Sequence, residues 1–335
     1  MNRKFHAVIY ALSAAVYYAA GLPFSKLLLD KIEPVFMAGF MYIGAGLGVG
    51  IIYMFHFRDE DSTRHLGRQD MIYVVGMVVL DIIAPILLMA GVNLGTSSNA
   101  SLLGNFEIVF TALFSLLAFG EPVSRRLWTA IALITLSGII LSFDGAEGLK
   151  FSRGALLVLG AALCWGLENN CTRSIAGKST YQIVTVKGLC SGAGALITAL
   201  IAGEEVPDAK YILPALVLGF IAYGLSIFTY IRAQNVLGAA RTGAYYAAAP
   251  FIGSLLSFVV LGEDLSLRYI AALLLMIPGA FLAVIDALKH RHFHEHCHVI
   301  YRRHGGMLHA DVIRHSHMHN HYISEESHRH IHSWP

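Results

Sequence analysis

Apolar residues run along this chain in blocks of about twenty, parted by short polar or charged stretches, as far as about residue 288. A helix crossing ~30 Å of hydrocarbon needs about 20 apolar residues, so each block predicts one transmembrane helix. Ten such spans follow, at 5–29, 35–55, 71–90, 96–118, 125–143, 154–174, 181–202, 211–231, 240–261 and 267–288. Arg3 and Lys4 give the first block the look of a secretory leader. Its apolar run is longer than the usual ~7 to 15 residues, and no small-residue cleavage pattern follows before Lys26, so it reads as a span. After Lys289 the blocks end and histidine alternates with other residues, which predicts a disordered His-rich tail.

Composition agrees with this pattern. Of 335 residues 56% are hydrophobic and 14% charged, and the mean hydropathy is +0.60, too apolar for a water-solvated surface. A formal net charge of +2 without a Lys/Arg cluster excludes binding to nucleic acid through phosphate neutralisation. Cys164, Cys171 and Cys190 fall in apolar blocks and Cys297 in the tail, so free thiols are expected rather than a disulfide framework. With the N-terminus inside, cytoplasmic loops and the C-terminal flank collect thirteen Lys and Arg against six on the other side. By the positive-inside rule both termini are cytoplasmic.

The second half repeats the first. A shift of 142 residues sets Asn93 on Asn235, Ser115 on Ser257, Gly120-Glu121 on Gly262-Glu263, Arg126 on Arg268 and Asp144 on Asp286. A shift of 148 sets Gly44-Ala45-Gly46 on Gly192-Ala193-Gly194. Each repeat holds five spans, an odd number, so the second enters the membrane in the opposite sense. Such inverted repeats are a common architecture of secondary transporters, whose halves exchange conformations around a central site. The reading is an all-α membrane protein of ten transmembrane helices: a first repeat at 1–145, a second at 151–288 and the tail at 289–335.

The chain resembles the EamA-type transporters of the drug/metabolite transporter superfamily. The resemblance covers residues 5–288. It rests on Ala161-Ala162-Leu163-Cys164-Trp165-Gly166 opening the second repeat, on Gly120-Glu121 and Gly262-Glu263, and on repeat length. Ser13-Ala14-Ala15-Val16-Tyr17-Tyr18 is the first-repeat counterpart, without the Trp-Gly pair. Trp165 to Arg173, Gly238 to Thr242 and Tyr245-Tyr246 resemble a bacterial subgroup ending in a histidine-rich tail. The resemblance implies an inner-membrane permease for a small solute or metabolite.

Charges inside a bilayer usually face a cavity or a partner, which makes them candidates for a solute or proton pathway. Asp81 and Glu107 lie near mid-membrane in consecutive spans, where two carboxylates could share a proton. Glu168 and Lys187 lie at comparable depth on neighbouring spans and could form an ion pair, which serves assembly as readily as transport. Asn169, Asn170, Asn93, Asn99 and Asn105 supply donors and acceptors, with interhelical hydrogen bonding as the plainer role. Tyr245 and Tyr246 precede Pro250, where the ninth span should kink or break. Gly44, Gly46, Gly48, Gly50, Gly188 and Gly192 read as helix packing.

The tail holds 14 of the 17 histidines. Three groups alternate: His290, His292, His294, His296 and His298; His315, His317, His319 and His321; His328, His330 and His332. Residues two apart share a face of an extended chain, so each group can wrap Zn, Ni or Cu, with Cys297 as an added ligand. No cofactor is required. Partners are membrane lipid and a small solute, with no nucleic acid; a proton or sodium as coupling ion, and a homodimer, are left open. The leading reading is a non-ATP secondary transporter of a small metabolite or drug-like solute. A divalent metal (Zn, Ni, Co or Cu) exporter fed by its tail is the alternative. A membrane enzyme is disfavoured because no His-x-x-x-His or Gly-x-Ser-x-Gly arrangement occurs in the spans.

Overall fold

The computed structural model describes residues 3–56, 65–119, 123–144, 150–175, 177–237, 239–287, 289–304 and 307–322. The first half carries α1 (Arg3–Leu29), α2 (Pro34–His56), α3 (Met71–Leu94), α4 (Ser97–Leu103), α5 (Phe106–Phe119) and α6 (Arg125–Ser142). The second carries α7 (Arg153–Ser174), α8 (Thr180–Ala202), α9 (Ala209–Gly219), α10 (Ser226–Leu237), α11 (Ala239–Tyr246), α12 (Ala249–Leu261) and α13 (Leu267–Ala287). A π-helical turn, Phe220–Leu225, joins α9 to α10. Between the halves, β1 (Phe143–Asp144) pairs antiparallel with β2 (Lys150–Phe151).

Among the described residues, eight helical stretches are long and apolar enough to cross a membrane. Large apolar side chains such as Phe55, Ile201 and Leu267 are exposed on them, as lipid contact requires and water would penalise. The chain is an integral membrane protein. Two of the ten expected spans are not long apolar helices, for different reasons. The fourth is divided into α4 and α5 by a turn at Gly104 and Asn105. The sixth, α7, carries Glu168, Asn169, Asn170 and Arg173 in its last two turns, which lowers its mean hydropathy.

The ninth span is divided too, at Ala247 and Ala248. Pro250 falls in the first turn of α12, where its missing N–H costs no helical bond. The discontinuity therefore precedes Pro250 rather than sitting on it. Under the 142-residue shift the break at Gly104-Asn105 lands within one residue of the break at Ala247-Ala248.

Pairings between the halves repeat under the same correspondence. α3 packs on α7 as α1 packs on α10; α5 packs on α7 as α12 packs on α1; α2 packs on α8. Lys26, near the end of α1, bonds the last carbonyls of α3. Gly154, at the start of α7, approaches the same end of α3, at Gly91, Leu94 and Gly95. The corresponding helices α1 and α7 therefore run in opposite directions.

Lipid gives apolar helices little hydrophobic reason to associate, so close contact and hydrogen bonds must hold them. The glycines expected to pack do so. A Cβ on Gly188 would lie 2.5 Å from Gly46 Cα, one on Gly192 2.7 Å from Ile43 N, and one on Gly44 2.0 Å from Leu216 O. Ser191 Oγ adds a hydrogen bond to Val78 O at 3.2 Å.

A second compact unit begins near Ile285. In it β3 (Lys289–His304) pairs antiparallel with β4 (Met307–Tyr322). The alternation that suggested metal binding is also the period of a strand. His328, His330 and His332 lie outside the described residues.

Candidate functional site

The buried charges form one cluster. Lys187 Nζ of α8 lies 3.0 Å from Asp81 Oδ2 of α3 and 3.0 Å from Glu168 Oε1 of α7. Both carboxylates are almost wholly buried. The expected Glu168–Lys187 pair is present, and Asp81 joins it. Tyr42 Oη donates to Asp81 Oδ1 at 3.1 Å and Trp165 Nε1 donates to the same oxygen at 3.2 Å. Thr172 Oγ1 donates to Glu168. A buried ion pair persists only when its remaining lone pairs are met, and here hydroxyls and an indole meet them.

Glu107 stands apart from this cluster. Asn169 Nδ2 donates to Glu107 Oε1 at 2.7 Å. Asp81 and Glu107 thus have separate partners instead of each other. The reason is helical phase: Asp81 faces Tyr42 of α2, Lys187 of α8 and Trp165 of α7, while Glu107 faces α7 a turn further on, at Asn169. Asn170 Nδ2 donates to its own helix at Gly166 O and serves packing.

Two cavities adjoin Glu107. One, of about 200 Å3, is lined by Tyr42, Glu168, Asn169, Lys187, Tyr223 and Ser226. The other, of about 180 Å3, is lined by Leu22, Ser101, Gly104, Asn105, Ala247 and Pro250. Tyr18, Glu107, Trp165 and Tyr246 line both, so these four side chains form the partition. Both helix breaks border the second cavity, where Asn105 Nδ2 bonds Leu102 O and its buried Oδ1 has no hydrogen-bond partner among the described residues. Rings surround the partition: Tyr18 and Tyr246 centroids lie 5.6 Å apart, and Tyr42 and Tyr223 5.4 Å.

Of the residues singled out in the sequence, Asn105, Glu107, Glu168, Asn169, Lys187 and Pro250 line these cavities. Asp81 lies behind the wall, and Tyr245 is exposed on the helix surface. One residue of helix is a rotation of about 100°, and that step puts Tyr246 in the cavity instead. Tyr42 and Tyr223 carried no charge or motif to mark them, and Tyr18 was marked only as the last residue of the first-repeat counterpart motif. Tyr223 is placed by the π turn, a distortion frequent at functional sites and invisible in hydropathy.

The ends of the bundle are closed by side chains on backbone groups. Lys26 Nζ donates to Val92 O at 2.6 Å, Asn93 O at 2.9 Å and Gly95 O at 2.9 Å. Glu263 accepts from Ser97 N at 2.7 Å and Ser98 N at 3.0 Å, and Glu204 accepts from Val35 N and Phe36 N. At the opposite end Lys178 pairs with Asp70 at 3.3 Å, and Leu66 N donates to Gln182 Oε1 at 2.7 Å.

Comparison with known proteins agrees with this architecture. A transporter of Methanothermobacter thermautotrophicus described as uncharacterized is 25% identical over 296 residues, covering 84% of this chain and 86% of that one. The uncharacterized inner membrane transporter YedA of Escherichia coli K12 is 25% identical over 241 residues, covering 71% of this chain and 77% of YedA. A solved structure named only "Crystal structure of protein" superposes with TM-score 0.61 at 18% identity, covering 84% of this chain and 96% of that one, which is a likeness of fold. The EamA-like transporter family matches twice, at residues 6–143 and 152–285. Two family matches, one in each half, account for the repeated span order and the paired helix breaks: the chain belongs to the EamA-like transporter family.

Proposed function

We propose that this chain moves a small organic solute across the bilayer by alternating access, without ATP, through the two cavities that meet at Tyr18, Glu107, Trp165 and Tyr246. The observation that carries the reading is this shared wall. Four side chains separate one cavity from the other, and modest movement of the flanking half-helices would transfer a solute between them. Glu107, Asn105 and Asn169 offer polar contacts to the solute, and the aromatic rings offer apolar faces. Glu168 and Lys187, with Asp81 behind them, form the charged floor through which a coupling proton or sodium ion would act.

In this reading the protein sits in the bacterial inner membrane, as the name of YedA suggests for that relative. It crosses ten times, with both termini cytoplasmic and the histidine tail binding metal inside the cell. The test is flux profiling in a deletion strain complemented by the full chain, a chain lacking residues 289–335, and Glu107→Gln. Loss of one solute flux in the Glu107 variant, with normal insertion, supports the site; unaltered flux refutes it.

A further inference from the structure

The charges around the partition do not balance. Among the described residues, the charged side chains lining the two cavities are Glu107, Glu168 and Lys187. Lys187 Nζ is already held at 3.0 Å by Asp81 Oδ2 and at 3.0 Å by Glu168 Oε1, so the base is committed to two acids. Glu107 adds a further carboxylate, and it borders both cavities. With Asp81, Glu107 and Glu168 against Lys187, the chamber stays negative even when one carboxyl carries a proton. An anion entering it would meet repulsion from Glu107 and a lysine whose charge is already matched. The second cavity adds an acceptor: Asn105 Nδ2 bonds Leu102 O, and Asn105 Oδ1 has no hydrogen-bond partner among the described residues.

Aromatic rings complete the chamber. Tyr18, Tyr42, Trp165, Tyr223 and Tyr246 line the first cavity. Ring centroids follow one another at 5.4 Å from Tyr42 to Tyr223, 6.1 Å from Tyr223 to Tyr18 and 5.6 Å from Tyr18 to Tyr246. Tyr42 Oη and Trp165 Nε1 both donate to Asp81 Oδ1 behind the wall, and Tyr246 Oη lies 3.3 Å from Ser226 Oγ. With these polar tips engaged, the residues have their rings to offer. A ring face carries partial negative charge and attracts an ammonium group within about 6 Å of its centroid, most strongly where water is excluded. Carboxylates and rings together therefore favour a cation over a neutral molecule of the same shape. Volumes of about 200 Å3 and about 180 Å3 fall below the roughly 300–1,000 Å3 of pockets for drug-sized ligands, so the solute is compact.

We propose that the solute is a compact organic ammonium ion, held by the Glu107 carboxylate and by the rings of Tyr18 and Tyr246. These three side chains line both cavities, so the cation keeps one set of partners on either side of the partition. The inference rests on the transport reading above and deepens it by naming the charge class of the solute.

The test uses three probes of nearly one shape at pH 7.5: benzylammonium, benzyl alcohol and benzoate. Each is titrated calorimetrically into the purified full-length protein and corrected for uptake by empty detergent micelles. The parent should bind benzylammonium roughly 30-fold more tightly than either other probe. Glu107→Gln should abolish that preference. Tyr18→Leu should weaken benzylammonium about tenfold and leave benzyl alcohol unchanged, because only the cation uses the ring face. Tyr18→Phe, which keeps the ring, and the exposed Tyr245→Leu should both bind as the parent does. Equal affinity for all three probes, a preference for benzoate, or no binding of benzylammonium by the parent overturns the proposal, and none of these outcomes depends on a variant that must fold. Alternating access is read separately, from the membrane faces that label thiols placed in the two cavities. Labelling from opposite faces without a cation preference would sink the charge class and leave the transport reading standing. A cation preference with both thiols labelled from one face would leave a cation site and sink that reading.

Discussion

Glu263 and Ser97 tie the two halves together: the carboxylate accepts the Ser97 amide at 2.7 Å and the Ser98 amide at 3.0 Å. Gly262 ends α12 in the left-handed region, φ 64°, and so turns the chain to present Glu263 to the first turn of α4. Thr96 Oγ1 accepts from Asn99 N at 3.3 Å beside it. Of the two Gly-Glu pairs that marked the repeat in the sequence, Gly262-Glu263 is a helix stop followed by a cap for a helix of the other half; Gly120-Glu121 lies outside the described residues. Charged caps on free amides are strong hydrogen bonds. Glu263→Gln should lower stability by about 1–2 kcal/mol, read as a fall in melting temperature in detergent, and should speed labelling of Ser101→Cys by a polar maleimide. Unchanged melting and labelling would show that the cap holds nothing closed.

The triad of Asp81, Lys187 and Glu168 predicts a characteristic non-additivity. Lys187→Met strands two carboxylates away from water and should cost about 3–5 kcal/mol. Adding Asp81→Asn and Glu168→Gln to it should recover much of that loss, because no unpaired charge then remains. Melting temperatures of the single and triple variants decide the matter. A triple variant no more stable than Lys187→Met would mean that the lysine packs rather than pairs.

Tyr245 and Tyr246 give a matched comparison on one helix. Tyr246 lines both cavities and approaches Tyr18 and Tyr230, whereas Tyr245 is exposed. Tyr246→Ala should reduce solute flux at least tenfold and Tyr245→Ala by less than twofold, with equal amounts of each in the membrane. Equal losses in both would detach the partition from transport.

Glycines separate contact from conformation. Gly188 lies where a Cβ would meet Gly46 Cα at 2.5 Å, while Gly203 has φ 76° with open space around it. Gly188→Ala must force α2 and α8 apart and should abolish the folded monodisperse protein. Gly203→Ala carries only backbone strain, about 1 kcal/mol. Size-exclusion profiles and melting curves of the two variants would check the ranking.

Much of this architecture was legible because lipid imposes a simple rule: twenty apolar residues for each crossing. That rule located the helices, and charged or polar groups inside them marked Glu107, Glu168, Asn169 and Lys187, all of which line the first cavity. What depends on helical phase was not legible. Asp81 and Glu107 share a depth but face different neighbours, and Tyr245 and Tyr246 differ only by one residue of helix, a rotation of about 100°. The division of the fourth span at Gly104-Asn105 had no proline to announce it. The pairing of β3 with β4 was written in the alternation, but alternation in a polar segment also describes a chain without structure.

The most direct test of the central claim asks from which face each cavity can be reached. In a chain stripped of its native cysteines, Ser101→Cys and Ser226→Cys place one thiol in each cavity. A membrane-impermeant maleimide is then applied to either face of sealed vesicles. Two chambers parted by Tyr18, Glu107, Trp165 and Tyr246 should label from opposite faces, and adding the transported solute should change the two rates in opposite directions. Labelling of both thiols from the same face, or of neither from any, would contradict a passage opened by turns.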